Sequence, residues 1–432
     1  MIYIDNCEVT ALYIERAIEK SIIETDMSFP VVLLTGARQV GKTTVLKKLA
    51  QNSGRKYVTL DDPAARELAS REPELFLQRY EPPVLIDEIQ YAPDLMTHIK
   101  IYVDIHGDER GIFWLTGSQV FHLMRGVSES LAGRVGILNM AGLSNGEING
   151  SVFSEFTTSP DILMTRLKSA VPMDLMQVYE RIFRGSMPAL YAADTDSEKF
   201  YYSYVQSYLQ RDIRDLTQVA DENSFYRFLC VAAARSGCML NYEAMAREAD
   251  VSAPTAKRWL SLLVTSGIVI LIEPYFSNAL KRAVKAPRMY FLDTGLCSHL
   301  TRWTSPENLE AGAMSGAIFE TWVVSEIYKS FINTGRRPPL FYYRDSNSRE
   351  VDLIIAKDNT LYPIEIKKSA HPVNASRHFK ALLPEGEEKD SDNSGEIFAV
   401  QNFNLGEGAV ICMSQDLLPI NKHNWLVPVW LI

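Results

Sequence analysis

The chain has 432 residues, 47% of them apolar, and a formal net charge of −9 at pH 7, which supports about three domains with buried cores and excludes a disordered chain. No apolar run approaches the roughly 18 residues of a membrane span, no secretory leader is evident, and five cysteines without a C-x-x-C pair fit a reducing compartment. A cytoplasmic protein with no membrane contact is therefore expected, and its acidic balance means that any nucleic-acid contact must come from a local basic patch.

The first predicted element is the apolar run Val31-Val-Leu-Leu-Thr35, which leads directly into Gly36-Ala-Arg-Gln-Val-Gly-Lys-Thr-Thr44. This strand, loop and helix order is the setting of a phosphate-binding loop, with ATP and Mg²⁺ as the expected ligands. Backbone N–H groups from Gly36, Ala37, Arg38, Gln39, Val40, Gly41 and Thr44 are expected to surround the phosphates, aided by the positive end of the following helix. Lys42 is expected to reach the β- and γ-phosphates and Thr43 to hold Mg²⁺.

Strands near residues 57–60, 84–87, 112–116 and 135–140 then alternate with helical patterns, which predicts a parallel sheet covered on both faces. Val84-Leu-Ile-Asp87-Glu88 delivers two carboxylates at a strand end: Asp87 suits the Mg²⁺ shell, and Glu88 suits a base that polarises attacking water. After the next strand, Thr116, Ser118 or Gln119 can sense the γ-phosphate, and a helix cap by Ser118 fits equally well. Arg134, in Ser130-Leu-Ala-Gly-Arg134, either neutralises charge in the transition state, from its own chain or a neighbouring subunit, or forms a surface ion pair.

These elements, with Leu60-Asp-Asp-Pro63, Ile86-Asp-Glu-Ile-Gln90 and the later Asp293-Thr-Gly-Leu296, resemble the prokaryotic AAA-type ATPases whose ATPase domain precedes a C-terminal domain of unknown function. The resemblance extends over most of the chain. It implies that Arg184-Gly-Ser-Met-Pro188 lies in the lid, with Pro188 packed near the nucleotide base, although Ser186 stands where glycine is frequent. Helical stripes between residues 178 and 219 are expected to build that lid.

Two amphipathic patterns, Tyr242-Glu-Ala-Met-Ala-Arg-Glu-Ala-Asp250 and Pro254-Thr-Ala-Lys-Arg-Trp-Leu-Ser-Leu-Leu263, are separated by a turn of helix-turn-helix length. Two strands follow, near residues 268–272 and 289–292, completing a predicted winged helix. Lys257, Arg258, Lys281, Arg282, Lys285 and Arg288 outweigh the single acid Glu273 between residues 251 and 292, giving a basic patch suited to DNA phosphates. Ser252 or Thr255 would then face base edges, whereas the bland alternative is a winged helix used for packing.

Near the end, a helix over residues 317–331 carries Glu320, and two alternating strands carry Asp352, Glu365 and Lys367. A period of two puts Glu365 and Lys367 on one face, and a hairpin brings Asp352 beside them. Two acids and a lysine suit a metal-dependent phosphodiesterase. The pattern resembles the PD-(D/E)XK nuclease superfamily, with Val351 where the name has proline, and the resemblance adds Glu320 as a further ligand. A binding module with an inactive site is the alternative. The polar stretch over residues 384–395 reads as a surface loop.

The expected fold class is thus α/β. Its parts are a P-loop NTPase core with a parallel sheet (residues 1–160), a helical lid (161–222), a winged helix (223–295) and a restriction-endonuclease-like domain (296–432). The expected function is ATP hydrolysis coupled to DNA contact and a nuclease-like domain, with a homo-oligomer as the expected setting for an arginine supplied by a neighbouring subunit. The alternative is a nucleotide-switched scaffold whose inactive nuclease fold holds a protein partner.

Overall fold

The computed structural model describes residues 13–51, 53–107, 109–117, 130–151, 154–193, 195–208, 222–275, 286–345, 347–382 and 403–432. Helix α1 (Ile18–Ser28) precedes strand β1 (Val31–Thr35) and helix α2 (Lys42–Ala50). There follow β2 (Lys56–Thr59), α3 (Pro63–Arg71), α4 (Pro73–Arg79), β3 (Val84–Asp87), α5 (Leu95–Ile105), β4 (Phe113–Thr116) and β5 (Val135–Asn139). The five strands pair in parallel in the order β2-β3-β4-β1-β5. Every residue of β1 is buried because alternate side chains serve opposite layers: Val32 and Leu34 pack with α1 and α2, Val31 and Leu33 with α3 to α5. A continuous apolar run, without alternation, is what such a central strand requires.

Short helices α6 (Asn145–Asn149) and α7 (Pro160–Leu167) lead into α8 (Leu175–Arg184), α9 (Ala189–Ala192) and α10 (Ser197–Tyr208). Asp174 and Gln177 form a capping box at the start of α8, which satisfies two of its free N–H groups. Next come α11 (Glu222–Ala234), α12 (Tyr242–Ala249) and α13 (Ala253–Thr265). Asp250 turns between α12 and α13 at φ 57°. Ser252 caps α13 by accepting from Thr255 N–H, and the two hydroxyls lie 2.8 Å apart. Trp259 of α13 meets Phe225 and Phe228 edge-on.

Strands β6 (Val269–Pro274) and β7 (Arg288–Phe291) pair antiparallel. Beyond them lie α14 (Thr294–Leu300), α15 (Pro306–Ala311), and α16 (Ser315–Ile332), which at 18 residues spans about 27 Å. The last strands are β8 (Leu340–Arg344), β9 (Glu350–Lys357), β10 (Thr360–Ile366), β11 (Asn404–Leu405), β12 (Gly408–Cys412), β13 (Leu418–Pro419) and β14 (Asn424–Pro428). β9 and β10 form the expected hairpin, turned by Asp358 and Asn359 at φ 49° and 61°, as a two-residue turn with both centres left-handed demands.

The two-stranded ribbon and the last segment share one sheet. β6 pairs with β7 on one side and with β8 on the other, through Glu273 opposite Phe341 and Pro274 opposite Tyr342. The order runs β13-β14-β12-β10-β9-β8-β6-β7, with β11 beside β10. One buried cluster likewise includes Leu34, Leu190, Phe228, Trp322 and Ile364, so the same core passes through every segment. Among the described residues no helix is long and apolar enough to cross a membrane.

Candidate functional site

At the carboxyl edge of the parallel sheet, the chain leaves β1 through a loop that only glycine accommodates at its start. Gly36 adopts φ 141°, and a Cβ there would meet the Met140 carbonyl oxygen at 2.1 Å. Gly41, at φ 97°, caps α2. The loop opens on a cavity of about 630 Å³ whose lining includes Arg38, Gln39, Gly41, Lys42, Thr43 and Thr44. Ala37 and Val40 stay buried behind it.

Lys42 folds over the loop, its Nζ donating to the carbonyls of Gly36 at 3.0 Å and Ala37 at 2.7 Å. Thr43 Oγ1 donates to both oxygens of Asp87, at 3.0 and 3.1 Å, and Thr116 Oγ1 and Tyr57 O–H reach the same carboxylate at 2.9 and 3.2 Å. The paired threonine and aspartate, beside an amide-lined loop and a helix start, fit a magnesium nucleotide. Glu88 lines the cavity in the left-handed region at φ 55°, held by the Gln90 amide. Ser118 and Gln119 lie outside the described residues.

Pro188 faces the same cavity, with Tyr13, Ile14, Leu143 and Tyr204. Its turn is fixed from a distance. Asp293, buried at the end of the ribbon, accepts from Ser186 N–H and Oγ, both at 2.7 Å, from Tyr201 O–H at 2.8 Å and from Leu296 N–H at 2.7 Å. Arg16 braces the other side, donating to the Val40 carbonyl at 2.7 Å and pairing with buried Glu147 at 3.1 Å. Sequence reading missed Tyr13, Arg16 and Tyr204, which lie far from any motif; for Asp293 the signal was the motif Asp293-Thr-Gly-Leu296.

Of the alternatives for Arg134, the surface ion pair is the one seen within this chain. It immediately precedes β5, where its carbonyl bonds Val31 N–H at the amino end of the sheet, and its guanidinium pairs with Asp104 at 2.5 Å. Since the phosphate loop leaves the opposite end of β1, about 13 Å of strand separates the two. The surface ion pair is the observed arrangement within one chain.

The basic patch divides. Lys257 and Arg258 are exposed on α13, and Lys281, Arg282 and Lys285 lie outside the described residues. Arg288 is a correction: it is 8% exposed and points into the acids of the last segment, because all four residues of β7 are buried. Ser252 and Thr255 spend their hydroxyls on the start of α13.

Those acids do converge. Lys367 Nζ lies 2.6 Å from Glu365 and 3.7 Å from Asp352, and Asp352 also accepts from Ile366 N–H at 3.0 Å. Arg288 stands 3.3 Å from Glu320 and 3.8 Å from Asp352 and pairs with Glu350, and Tyr290 O–H donates to Glu320 at 2.8 Å. Burial, and then the Asp352 charge, push the carboxyls of Glu320 and Glu365 up to about 7. Burial alone would lower Lys367, but Asp352 and Glu365 raise it. Glu350 was missed, although its position two residues before Asp352 places both on one face of β9.

The donor set does not fit a divalent metal. Glu320, Glu350, Asp352 and Glu365 already face protein cations, and among the described residues no group of three or more His, Cys, Asp or Glu is arranged to hold one. The metal role expected for Glu320, Asp352 and Glu365 with Lys367 is therefore not supported by this arrangement.

Comparison with known proteins gives three consecutive matches. An AAA domain matches residues 28–149, a domain of unknown function (DUF8612) residues 176–307, and a second domain of unknown function (DUF4143) residues 315–432. Uncharacterized proteins of Mycobacterium tuberculosis and Mycobacterium bovis are each 28% identical over 357 residues, 82% of this chain and 74% of theirs. A Walker-type ATPase of Pyrococcus abyssi overlaps 67% of this chain and 96% of its own at 13% identity and a TM-score of 0.40. The RuvB Holliday junction branch migration motor of Thermotoga maritima overlaps 59% and 85% at 16% identity and a TM-score of 0.29. On the matched segments, the chain is similar to AAA-type P-loop proteins that carry a C-terminal domain of unknown function.

Proposed function

We propose that this chain binds ATP with Mg²⁺ at the loop of residues 36–44, hydrolyses it, and passes its nucleotide state to the segments that follow. One observation carries the reading: Gly41, Lys42, Thr43, Thr44 and Glu88 line a single cavity of about 630 Å³, and Asp87 accepts from the Thr43 hydroxyl. In this reading Lys42 leaves the loop carbonyls for the β- and γ-phosphates, and Glu88 takes up the proton of attacking water. Mg²⁺ held by Thr43 and Asp87 supplies charge neutralisation at the phosphate oxygens. Pro188 packs on the base, Thr116, Ser118 or Gln119 senses the γ-phosphate, and Arg134 acts only on a neighbouring subunit's nucleotide in a homo-oligomer. Lys42→Ala should abolish ATP binding, and Glu88→Gln should retain bound ATP without turnover. Full turnover by both variants would refute the assignment.

We read residues 223–295 as a winged helix offering Lys257 and Arg258, with Lys281, Arg282 and Lys285, to DNA phosphates in the cytoplasm. The last segment we read as a nuclease-like fold that does not cut. Arg288 among its acids supports that second reading, a nucleotide-switched scaffold. Cleavage of supercoiled or single-stranded DNA with Mg²⁺ or Mn²⁺, lost in Asp352→Ala, would overturn it.

A further inference from the structure

The acidic centre gathers four carboxylates from three elements: Glu320 from α16, Glu350 and Asp352 from β9, and Glu365 from β10. Clustered acids of this kind repel one another and require cations. Lys367 serves one side, Glu365 and the near oxygen of Asp352. The other side is served from outside the last segment altogether. Arg288, on the outermost strand β7, reaches across the sheet to Glu320, Glu350 and the far oxygen of Asp352.

That guanidinium is held as firmly as any side chain in the centre. It lies 5.1 Å from the Tyr342 ring centroid and within 3.4 Å of the Tyr290 hydroxyl, itself bonded to Glu320. Tyr342 in turn donates to the Ala286 carbonyl at 2.6 Å, just before β7. An arginine cannot be emptied of its charge by pH. Its charge therefore stays with the acids for as long as the side chain keeps this rotamer.

We propose that Arg288 is the resident cation of this centre, taking the place that a divalent metal would take between Glu320 and Asp352, so that the docked β7 keeps metals out. A divalent ion needs carboxylate oxygens at about 2.0–2.6 Å, with lone pairs turned toward one point. Here a single guanidinium nitrogen, Nη1 of Arg288, lies 3.3 Å from Glu320 and 3.8 Å from Asp352, farther than a metal would stand, while Nη2 pairs with Glu350. A metal entering beside the buried guanidinium would add two positive charges to the two that Arg288 and Lys367 already supply, and their repulsion opposes its entry. The arrangement makes the centre structural: it clamps the ribbon to the last segment. It deepens the reading of that segment as a nuclease-like fold that does not cut.

The test is metal uptake by the full-length protein without nucleotide, followed by Mn²⁺ electron paramagnetic resonance and calorimetry, which is independent of any cleavage or ATPase result. Wild type and Asp352→Asn should take up the same Mn²⁺ at about 1 mM, a level at which weak carboxylate sites fill. Arg288→Gln, which shortens the side chain and removes the charge, should gain one site more than about tenfold tighter than any in wild type, a difference of about 1.4 kcal/mol. That site should vanish in the double variant Arg288→Gln/Asp352→Asn. Asp352-dependent Mn²⁺ binding by wild type overturns the proposal, as does a folded Arg288→Gln protein that gains nothing. If Arg288→Gln fails to fold, the comparison of wild type with Asp352→Asn decides alone.

Discussion

Asparagine in place of Asp293 is the substitution whose cost the structure specifies best. The carboxylate accepts four hydrogen bonds of 2.7–2.8 Å, two on each oxygen, and the residue is 6% exposed. A carboxylate has about four lone-pair sites, and here all are used. An amide can keep only one oxygen. If its NH₂ faces Ser186 it opposes a fixed N–H, and if it faces Leu296 it opposes another, so one buried backbone donor is stranded in either rotamer at about 1–3 kcal/mol. Loss of charge assistance from the remaining bonds adds about 1–2 kcal/mol. The sum is about 2–5 kcal/mol, a large fraction of the roughly 5–15 kcal/mol by which domains are stable. Because the released turn leads to Pro188 in the nucleotide cavity, Asp293→Asn should also blunt the rise in melting temperature caused by ATP. Melts by circular dichroism with and without Mg-ATP, and urea titration, read both effects. A variant matching wild type in urea midpoint and in ATP response would refute the reasoning.

Two further outcomes follow from the geometry. The carboxyls of Glu320 and Glu365, held near 7 by burial and by Asp352, bind protons more tightly folded than unfolded, so their stabilisation is complete below the unfolded value near 4.5 and is lost as pH rises toward 7. Glu365→Gln should therefore gain stability relative to wild type between pH 5 and 7 in paired urea titrations, and a constant difference across that window would contradict the account. Gly36→Ala should cost about 1–3 kcal/mol from backbone strain alone, with more from the collision with Met140, and should abolish ATP binding; a thermal shift assay with Mg-ATP checks it.

The parts of the fold that could be read from sequence were those with one dominant periodicity. The runs at 31–35 and 84–87 are buried on both faces, so nothing but a central parallel strand suits them. The hairpin of β9 and β10 announced itself through Asp358-Asn359 between alternating strands. Arg288 was misread because a charge sum over residues 251–292 assumes that every basic side chain faces one way, whereas β7 is buried along its whole length. The pairing of β6 with β8 rests on two residue pairs, too short a contact to leave a pattern in sequence. Asp293 was visible as a motif, but its partners Ser186 and Tyr201 stand 107 and 92 residues away. Only the folded chain brings them together.

The shared sheet and the large core cluster that includes both Leu34 and Ile364 bear on how such a chain can be taken apart. Cutting between β7 and α14 would strip β6 and β7 of their neighbour β8, expose a sheet edge on each fragment, and leave Glu320, Glu350 and Asp352 without Arg288. Fragments made at that junction should aggregate instead of folding, and a module lifted from this chain into another would have to bring its borrowed strand with it. The core shared by Leu34 and Ile364 ties the phosphate-loop sheet into the same unit.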